Sequence, residues 1–452
     1  QMVVGHRHVE HGGQGHERGK ALVPPTPRGS GIERLSSSVV VSGNPLRHLG
    51  GLTSGGLGAT DIGKKNAIGG ISREFYQRVK KHYADPAAWK YGRPEDFRSN
   101  EHDPQEDVMF YFEPHVAQAA VDGLVKDSGL EVVRGEQLDR SPGGVTKQGN
   151  RIVSFRTLSG QVFAAKVFID ASYVGDLMAA AGVSWVIGRE SRAEHGESLA
   201  GKQYPKPAMK VNGLDAAGRP LPLITGTDAG PDAAGDGHVM TFSFRLCLTR
   251  DPANRVPIPE PKHYDPARFE LARRALQAGI RGVGFDLYPL PGDKLDGNNS
   301  IHGQVSLGLV GGSDTWHEAD EAERARIWEV HRQYTLEFLR FLRTDPAVPE
   351  KVRAQYASLG FCRDEFAATG HFPPALYVRE SRRLQGLHVL TQKDILEAPS
   401  KDDPIAVSSF PIDSHDCQRV VRPDGTVMNE GTILPLRVPG SGVGYAYQVP
   451  YR

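Results

Sequence analysis

Cysteine is scarce: this chain of 452 residues has three, Cys247, Cys362 and Cys417. They are far apart, odd in number and form no Cys-x-x-Cys pair. That excludes a disulfide framework, an iron–sulfur cluster and a zinc ribbon, and leaves three small buried thiols as the expectation. Neither sign of charge is in excess, with 54 Lys plus Arg against 54 Asp plus Glu. A general nucleic-acid or anionic-membrane binder carries a basic surplus, so both classes are excluded. No apolar run approaches the roughly 18 residues that span a bilayer, and the mean hydropathy of −0.41 suits a soluble chain. Aromatic residues make up only 8%, which favours a polar ligand over an aromatic one. No basic-then-apolar leader follows Gln1, so the cytoplasm stands as the default compartment. No internal repeat is visible, and no pattern specifies an oligomeric state.

What is present is length, glycine and local periodicity. The chain is long enough for two or more domains. Residues 1–38 have almost no apolar face: His6, His8, His11 and His16 sit among glycines and charges, then Pro24, Pro25 and Pro27 follow. This segment reads as a disordered tail. The histidine spacing is irregular and lacks a supporting cysteine or carboxylate pattern, so no metal is expected. Val39-Val40-Val41 reads as a short buried strand ending at Gly43.

Helices are predicted over Arg73–Tyr83, with Phe75, Val79 and Tyr83 one turn apart, and from Pro114, with Val116, Ala120 and Leu124 on one face. A third covers Ala319–Leu342, presenting Ile327, Tyr334, Phe338 and Leu342. Residues 89–105 read as a surface loop. Leu130–Arg134 reads as a strand, and Ser159-Gly160 marks a hairpin between Ile152–Leu158 and Gln161–Ile169. His238–Leu248 reads as one long strand, with Met240, Phe242, Phe244 and Leu246 alternating. Asp413–Arg419 and Gly425–Asn429 read as a loop and a turn.

Four segments carry chemistry. The first runs Arg47-His48-Leu49-Gly50-Gly51-Leu52-Thr53-Ser54-Gly55-Gly56-Leu57-Gly58. Glycine at this density tolerates positive φ and lets backbone N–H groups approach something flat or anionic. The second is Phe168-Ile169-Asp170-Ala171, then a turn into Gly175-Asp176, where a helix N-terminus favours an anion and Asp176 caps it. The third, Tyr377 to Gly386, places Arg379, Arg382 and Arg383 within five residues, a set suited to bidentate binding of a carboxylate, phosphate or polyol. The fourth, Asp413-Ser414-His415-Asp416, sets a histidine beside carboxylates; His415 is the expected general base and Asp413 its orienting partner. Gly440-Ser441-Gly442-Val443-Gly444 follows no strand and makes no nucleophile elbow.

In this order the segments resemble the FAD-dependent oxidoreductases of the two-dinucleotide-binding, glutathione-reductase-like kind, closest to the bacterial family known simply as FAD-dependent oxidoreductase. The resemblance runs from about Asn44 to Arg452. It implies an α/β fold: an FAD/NAD(P)-binding, Rossmann-like three-layer domain with an inserted β-rich α+β substrate domain. It implies FAD as cofactor and hydride transfer from an organic substrate to flavin; the arginines and the scarcity of aromatics point to a polar, hydroxylated substrate, such as a sugar or carboxylated metabolite. The cofactor-binding residues it implies are Asn44, Arg47, His48, Gly50, Gly51, Thr53, Ser54, Gly55 and Gly56, then Asp170, Ala171, Gly175 and Asp176. The catalytic residues are His415, Asp413, Arg379 and Arg382, with one arginine steadying negative charge at the flavin N1–C2=O edge.

Two departures qualify the pattern. The opening strand, Gly-x-Gly-x-x-Gly turn and helix are missing: Gly13-Gln14-Gly15 with Gly19 has other spacing, and Pro24-Pro25 follows. The acid expected after the second strand falls at Asn44, so residues 1–38 are expected to be foreign to the family and the first βαβ unit incomplete. Gln448 to Arg452 matches a point before the family's last cofactor strand, which predicts truncation at both ends and a sheet without its central strand. The expected division is a tail (1–38), a first FAD-domain part (39–187), a substrate or cap domain (188–372) and a returning FAD-domain segment (373–452). Two rival functions are a cofactor-less remnant of the family and a glycan-active lyase or hydrolase.

Overall fold

A computed structural model describes residues 2–4, 32–33, 39–42, 48–99, 101–397, 406–436 and 445–447. Three strands, β1 (Met2–Val4), β2 (Ile32–Glu33) and β3 (Val39–Ser42), precede a one-turn helix α1 (Leu52–Gly55). Helices α2 (Gly70–Tyr83) and α3 (Pro114–Ser128) follow, then β4 (Glu131–Arg134), β5 (Val145–Gln148), β6 (Arg151–Arg156), β7 (Val162–Ala164), β8 (Phe168–Asp170) and α4 (Asp176–Ala180). The middle of the chain forms β9 (Trp185–Val186), α5 (Arg192–His195), β10 (Leu246–Thr249), β11 (Arg255–Val256), α6 (Glu270–Gln277), β12 (Asp286–Leu290) and β13 (Lys294–Asn298). After these come α7 (Glu321–Thr344), α8 (Glu350–Ala357), β14 (Gly360–Cys362), β15 (Arg383–Leu384) and α9 (Gln392–Leu396). The last part holds β16 (Ala406–Ser408), β17 (Ile412–Ser414), β18 (Gln418–Val421), β19 (Val427–Glu430), β20 (Ile433–Leu436) and β21 (Tyr445–Tyr447). Among the described residues no helix is long and apolar enough to cross a membrane.

The chain divides into two compact units, residues 1–49 with 125–185, and residues 50–124 with 186–452. The first unit contains a four-stranded sheet in the order β4-β3-β1-β8. β3 and β4 run parallel, Val40 opposite Val132. The central place, expected to be missing, is taken by β1, which pairs antiparallel with β3 and with β8. Two unpaired edges leave rows of N–H and C=O groups without partners, and an extended Met-Val-Val triplet satisfies both. The second piece described within 1–38, β2, is also a strand and pairs with β7. The expected hairpin is present: β6 and β7 are antiparallel across Gly160, at φ +91°. Phe155 stacks on its cross-strand partner Phe163 at 5.2 Å, within a core that includes Val41, Leu138 and Leu177.

The second unit is built on a five-stranded antiparallel sheet, β11-β14-β10-β13-β12. Its largest core gathers Phe242, Phe244 and Leu246 from one segment, and Tyr334, Phe338, Phe341 and Leu342 from α7. The 3.6-residue period brought that α7 face inward, and Asp320 caps the helix through the Glu323 N–H. A separate cluster packs Phe75, Val79 and Tyr83 of α2 against Val116 and Ala120 of α3, with Phe97 from the loop between them.

Two strand expectations need correction. Of His238–Leu248 only Leu246 onward is regular strand, and residues 241–249 are buried without alternation. Phe242, Phe244 and Leu246 enter the apolar core, while Thr241, Ser243 and Arg245 are buried by polar partners described below. The loop and turn expected at 413–419 and 425–429 include strands β17, β18 and β19; Gln418 to Val421 pairs in register with Val427 to Glu430. All three cysteines are buried thiols.

Candidate functional site

From Gly50 onward the glycine loop lies in the second unit. Gly50 and Gly51 have φ of +91° and +55°, a region L side chains rarely enter, and they turn the chain into α1. The Thr53 N–H donates to the Gly50 carbonyl at 3.1 Å. Ser54, Gly55 and Gly56 are buried, and a Cβ on Gly56 would lie 2.7 Å from the Arg245 carbonyl oxygen. The loop ends on a carboxylate: the N–H groups of Gly58 and Ala59 both donate to Asp296 Oδ2 at 2.8 Å.

That carboxylate also holds Arg245, which the sequence reading passed over. Arg245 Nε and Nη2 donate to the two Asp296 oxygens at 2.9 and 3.0 Å, Nη2 reaches the Ala59 carbonyl at 2.9 Å, and Nη1 reaches Asp61 at 3.3 Å. Burial opposes the charge on Arg245, but Asp296 and Asp61 outweigh it and hold the guanidinium pKa above its ordinary value. A charged residue inside an apolar segment, between Phe244 and Leu246, was the available signal.

The arginine segment separates its three guanidinium groups. Arg379 turns towards Arg245: its Nε donates to the Thr241 carbonyl at 3.1 Å and its Nη2 to Ser243 Oγ at 3.2 Å, and it lies 4.1 Å over the Tyr377 ring. Arg382 donates to the His317 carbonyl, and Arg383 to Glu190 at 2.7 Å. These are different partners on different elements, so the three do not form one fork.

His415 is buried and its Nδ1 meets Asn299 Nδ2 at 3.0 Å. The Gly308 N–H donates to Asn299 Oδ1 at 2.7 Å, which fixes the amide with its NH2 towards the ring. Nδ1 is therefore the acceptor, and the neutral ring carries its proton on Nε2. Burial, reinforced by the positive charges of Arg379, Lys206 and Arg245, pushes the His415 pKa well below 6.5. Asp413, expected to orient His415, makes no hydrogen bond to it; Asn299 has that place. Burial raises the Asp413 carboxyl to about 6, with Arg379 opposing and Asp61 reinforcing the shift. Lys206 is held by Asp416 (2.9 Å to each oxygen) and by the Gly303 carbonyl.

The Asp170 segment lies in the first unit. Asp170 Oδ1 accepts from the N–H and hydroxyl of Ser172, and Oδ2 from the N–H groups of Leu177 and Met178 at 3.0 and 3.2 Å. Asp170 thus caps α4, correcting the assignment of that role to Asp176. The residue at the N-cap position is Gly175 (φ +69°), which has no side chain to offer, and Asp176 sits 3.4 Å from Arg140. Ala171 leads out of β8 and His48 is half-buried, whereas Asn44, Arg47 and the histidine-rich stretch lie outside the described residues.

One further cluster has metal-ligand character. Glu113, His115 and Asp364 bring ligand atoms within 4.8 Å of one another. The buried Lys294 Nζ stands 2.7 Å from Glu113, 2.9 Å from Asp364 and 2.7 Å from Glu365, so an ammonium supplies the cation there. Arg379, Arg245, Asp61, Asp413 and His415 act on one another electrostatically and form a second cluster of charged and titratable groups.

A family model described as FAD dependent oxidoreductase matches residues 34–452. No curated protein and no solved structure matches the chain. With all but the first 33 residues matched, the chain belongs to the FAD dependent oxidoreductase family, an enzyme family whose cofactor is FAD.

Proposed function

We propose that this enzyme oxidises a hydroxyl-bearing organic substrate at the cluster around Asp413, His415 and Arg379. The residues present fit the flavin end of the cofactor: Gly50 and Gly51 present backbone with no side chain, and Arg379 supplies a fixed positive charge for the pyrimidine edge of the ring. Thr53 and Ser54 belong to the same stretch. FAD, when bound, supplies the acceptor for a hydride.

The proton roles follow from the hydrogen bonds. His415 is neutral with its Nε2–H as donor, so it is suited to hold a substrate oxygen rather than to take its proton. Asp413, with a pKa of about 6, is ionised at neutral pH and basic enough to accept the hydroxyl proton as hydride leaves the adjacent carbon. The base is thus assigned to Asp413 in place of His415, the base expected from sequence. Asn299 keeps His415 in the donor tautomer, and this pairing is the observation that carries the reading.

The test begins with the visible spectrum of the full chain before and after adding FAD. A flavin spectrum shifted from that of free FAD is expected, followed by anaerobic bleaching with a polyol substrate. Asp413→Asn should slow bleaching by about 10²- to 10⁴-fold without releasing the flavin. Undiminished bleaching in that variant would remove Asp413 from the mechanism, and no bound flavin would remove the reading.

A further inference from the structure

Carboxylate substrates are gripped by guanidinium groups with a free edge and uncompensated charge. Arg245 has neither, with Nε and Nη2 on Asp296 and Nη1 on Asp61. Arg382 and Arg383 are committed to the His317 carbonyl and to Glu190. Arg379 keeps one edge, since Thr241 and Ser243 take its Nε and Nη2. Its charge, however, is faced by both Asp413 and Asp61. Two cations thus meet three carboxylates, Asp296, Asp61 and Asp413. Neutral His415 adds no charge, and Lys206 is cancelled by Asp416.

We propose that this site takes an uncharged polyhydroxylated substrate, a sugar or related polyol, and rejects the corresponding hydroxy acid, with Asp61 as the specificity-determining residue. The inference rests on the reading of this cluster as the site of oxidation. A polyol uses what the cluster offers: carboxylate oxygens of Asp61 and Asp413 as acceptors, and the His415 Nε2–H as donor. An acid meets a net negative charge instead. Asp61 is the member of the set with its side chain about half exposed, at 49%, so it meets an incoming anion first. One net like charge at close range weakens binding on the order of tenfold.

The experiment is saturation-transfer NMR on the full FAD-loaded chain at about pH 7.5, above the Asp413 pKa of about 6. The probes are two matched pairs, sorbitol with gluconate and glucose with glucuronate. The neutral member should bind at least about tenfold more tightly than the acid, and Asp61→Asn should narrow that gap by strengthening the acid. Equal binding, preference for the acid with loss in Arg379→Met, or binding of neither member overturns the proposal. The wild-type ratio decides alone if a variant does not fold. Flavin bleaching, read in parallel, separates the two claims: neutral binding without bleaching sinks the oxidation reading but leaves the charge selectivity.

Discussion

Two buried histidines in the second unit are both neutral and carry their protons on opposite nitrogens. His331 Nδ1 faces the Ile327 carbonyl at 2.8 Å, an acceptor only, so Nδ1 is protonated. His415 Nδ1 faces the Asn299 amide nitrogen, a donor only, so Nε2 is protonated. Replacing Asn299 by Asp should reverse the second case, since a carboxylate accepts from Nδ1–H and draws the His415 pKa upward. ¹⁵N-detected histidine spectra should show His415 changing tautomer, and an unchanged Nε2–H form would show that Asn299 does not set it. At the same scale, kcat/KM should fall as pH drops through about 6, where Asp413 becomes protonated. The pH profile of Asp413→Asn should lose that acid limb. Neither tautomer is readable from sequence, because each depends on one partner atom.

Helix α7 shows what periodicity can and cannot specify. Its apolar stripe was legible in the spacing of Ile327, Tyr334, Phe338 and Leu342, all of which are buried. The same buried surface takes in His331, whose pKa burial lowers from 6.5 to about 4. In the unfolded chain this ring takes up a proton near pH 6.5, while in the fold it does not until about pH 4. Its contribution to stability is therefore complete above pH 6.5 and is lost as pH falls from there towards 4, by up to about 3 kcal/mol. Urea midpoints compared at about pH 7 and pH 4.5 should show a smaller acid loss in His331→Gln than in the wild type. Equal losses would assign the acid sensitivity elsewhere. The 238–248 segment was harder to read, because alternation assumes one wet face. Here the second face is covered by Asp296, Asp61 and Arg379, so Thr241, Ser243 and Arg245 are buried as completely as the phenylalanines.

On the scale of the whole molecule, the site in the second unit is assembled from distant parts of the chain. Asp296 joins the end of the glycine loop, 238 positions away at Gly58, to Arg245 on the neighbouring segment. Asp296→Asn keeps the shape, removes the charge and leaves Arg245 buried with Asp61 alone. The expected cost is about 3–5 kcal/mol. Adding Arg245→Met to that variant removes the uncompensated charge, so the double variant should cost less than the sum of the singles. A double-mutant cycle by urea unfolding measures this, and additive costs would show that the pair is not coupled.

The sequence by itself determined what local sterics and periodicity control. These are the faces of α2, α3 and α7, the Ser159-Gly160 hairpin, the left-handed turn at Gly50-Gly51, and enough ordered motifs to place the chain in its family. Each depends on residues a few positions apart, so the pattern is in the string. Tertiary structure alone decided which charges meet. It placed Asp296 under the glycine loop, and it committed Arg382 and Arg383 elsewhere while keeping Arg379 at the cluster. It put Asn299, 116 positions away, against His415 in the place expected for Asp413, and it set β1 antiparallel between β3 and β8. Hydrogen bonds and ion pairs act through space over a few ångströms, and only the packed chain brings such distant residues within that range.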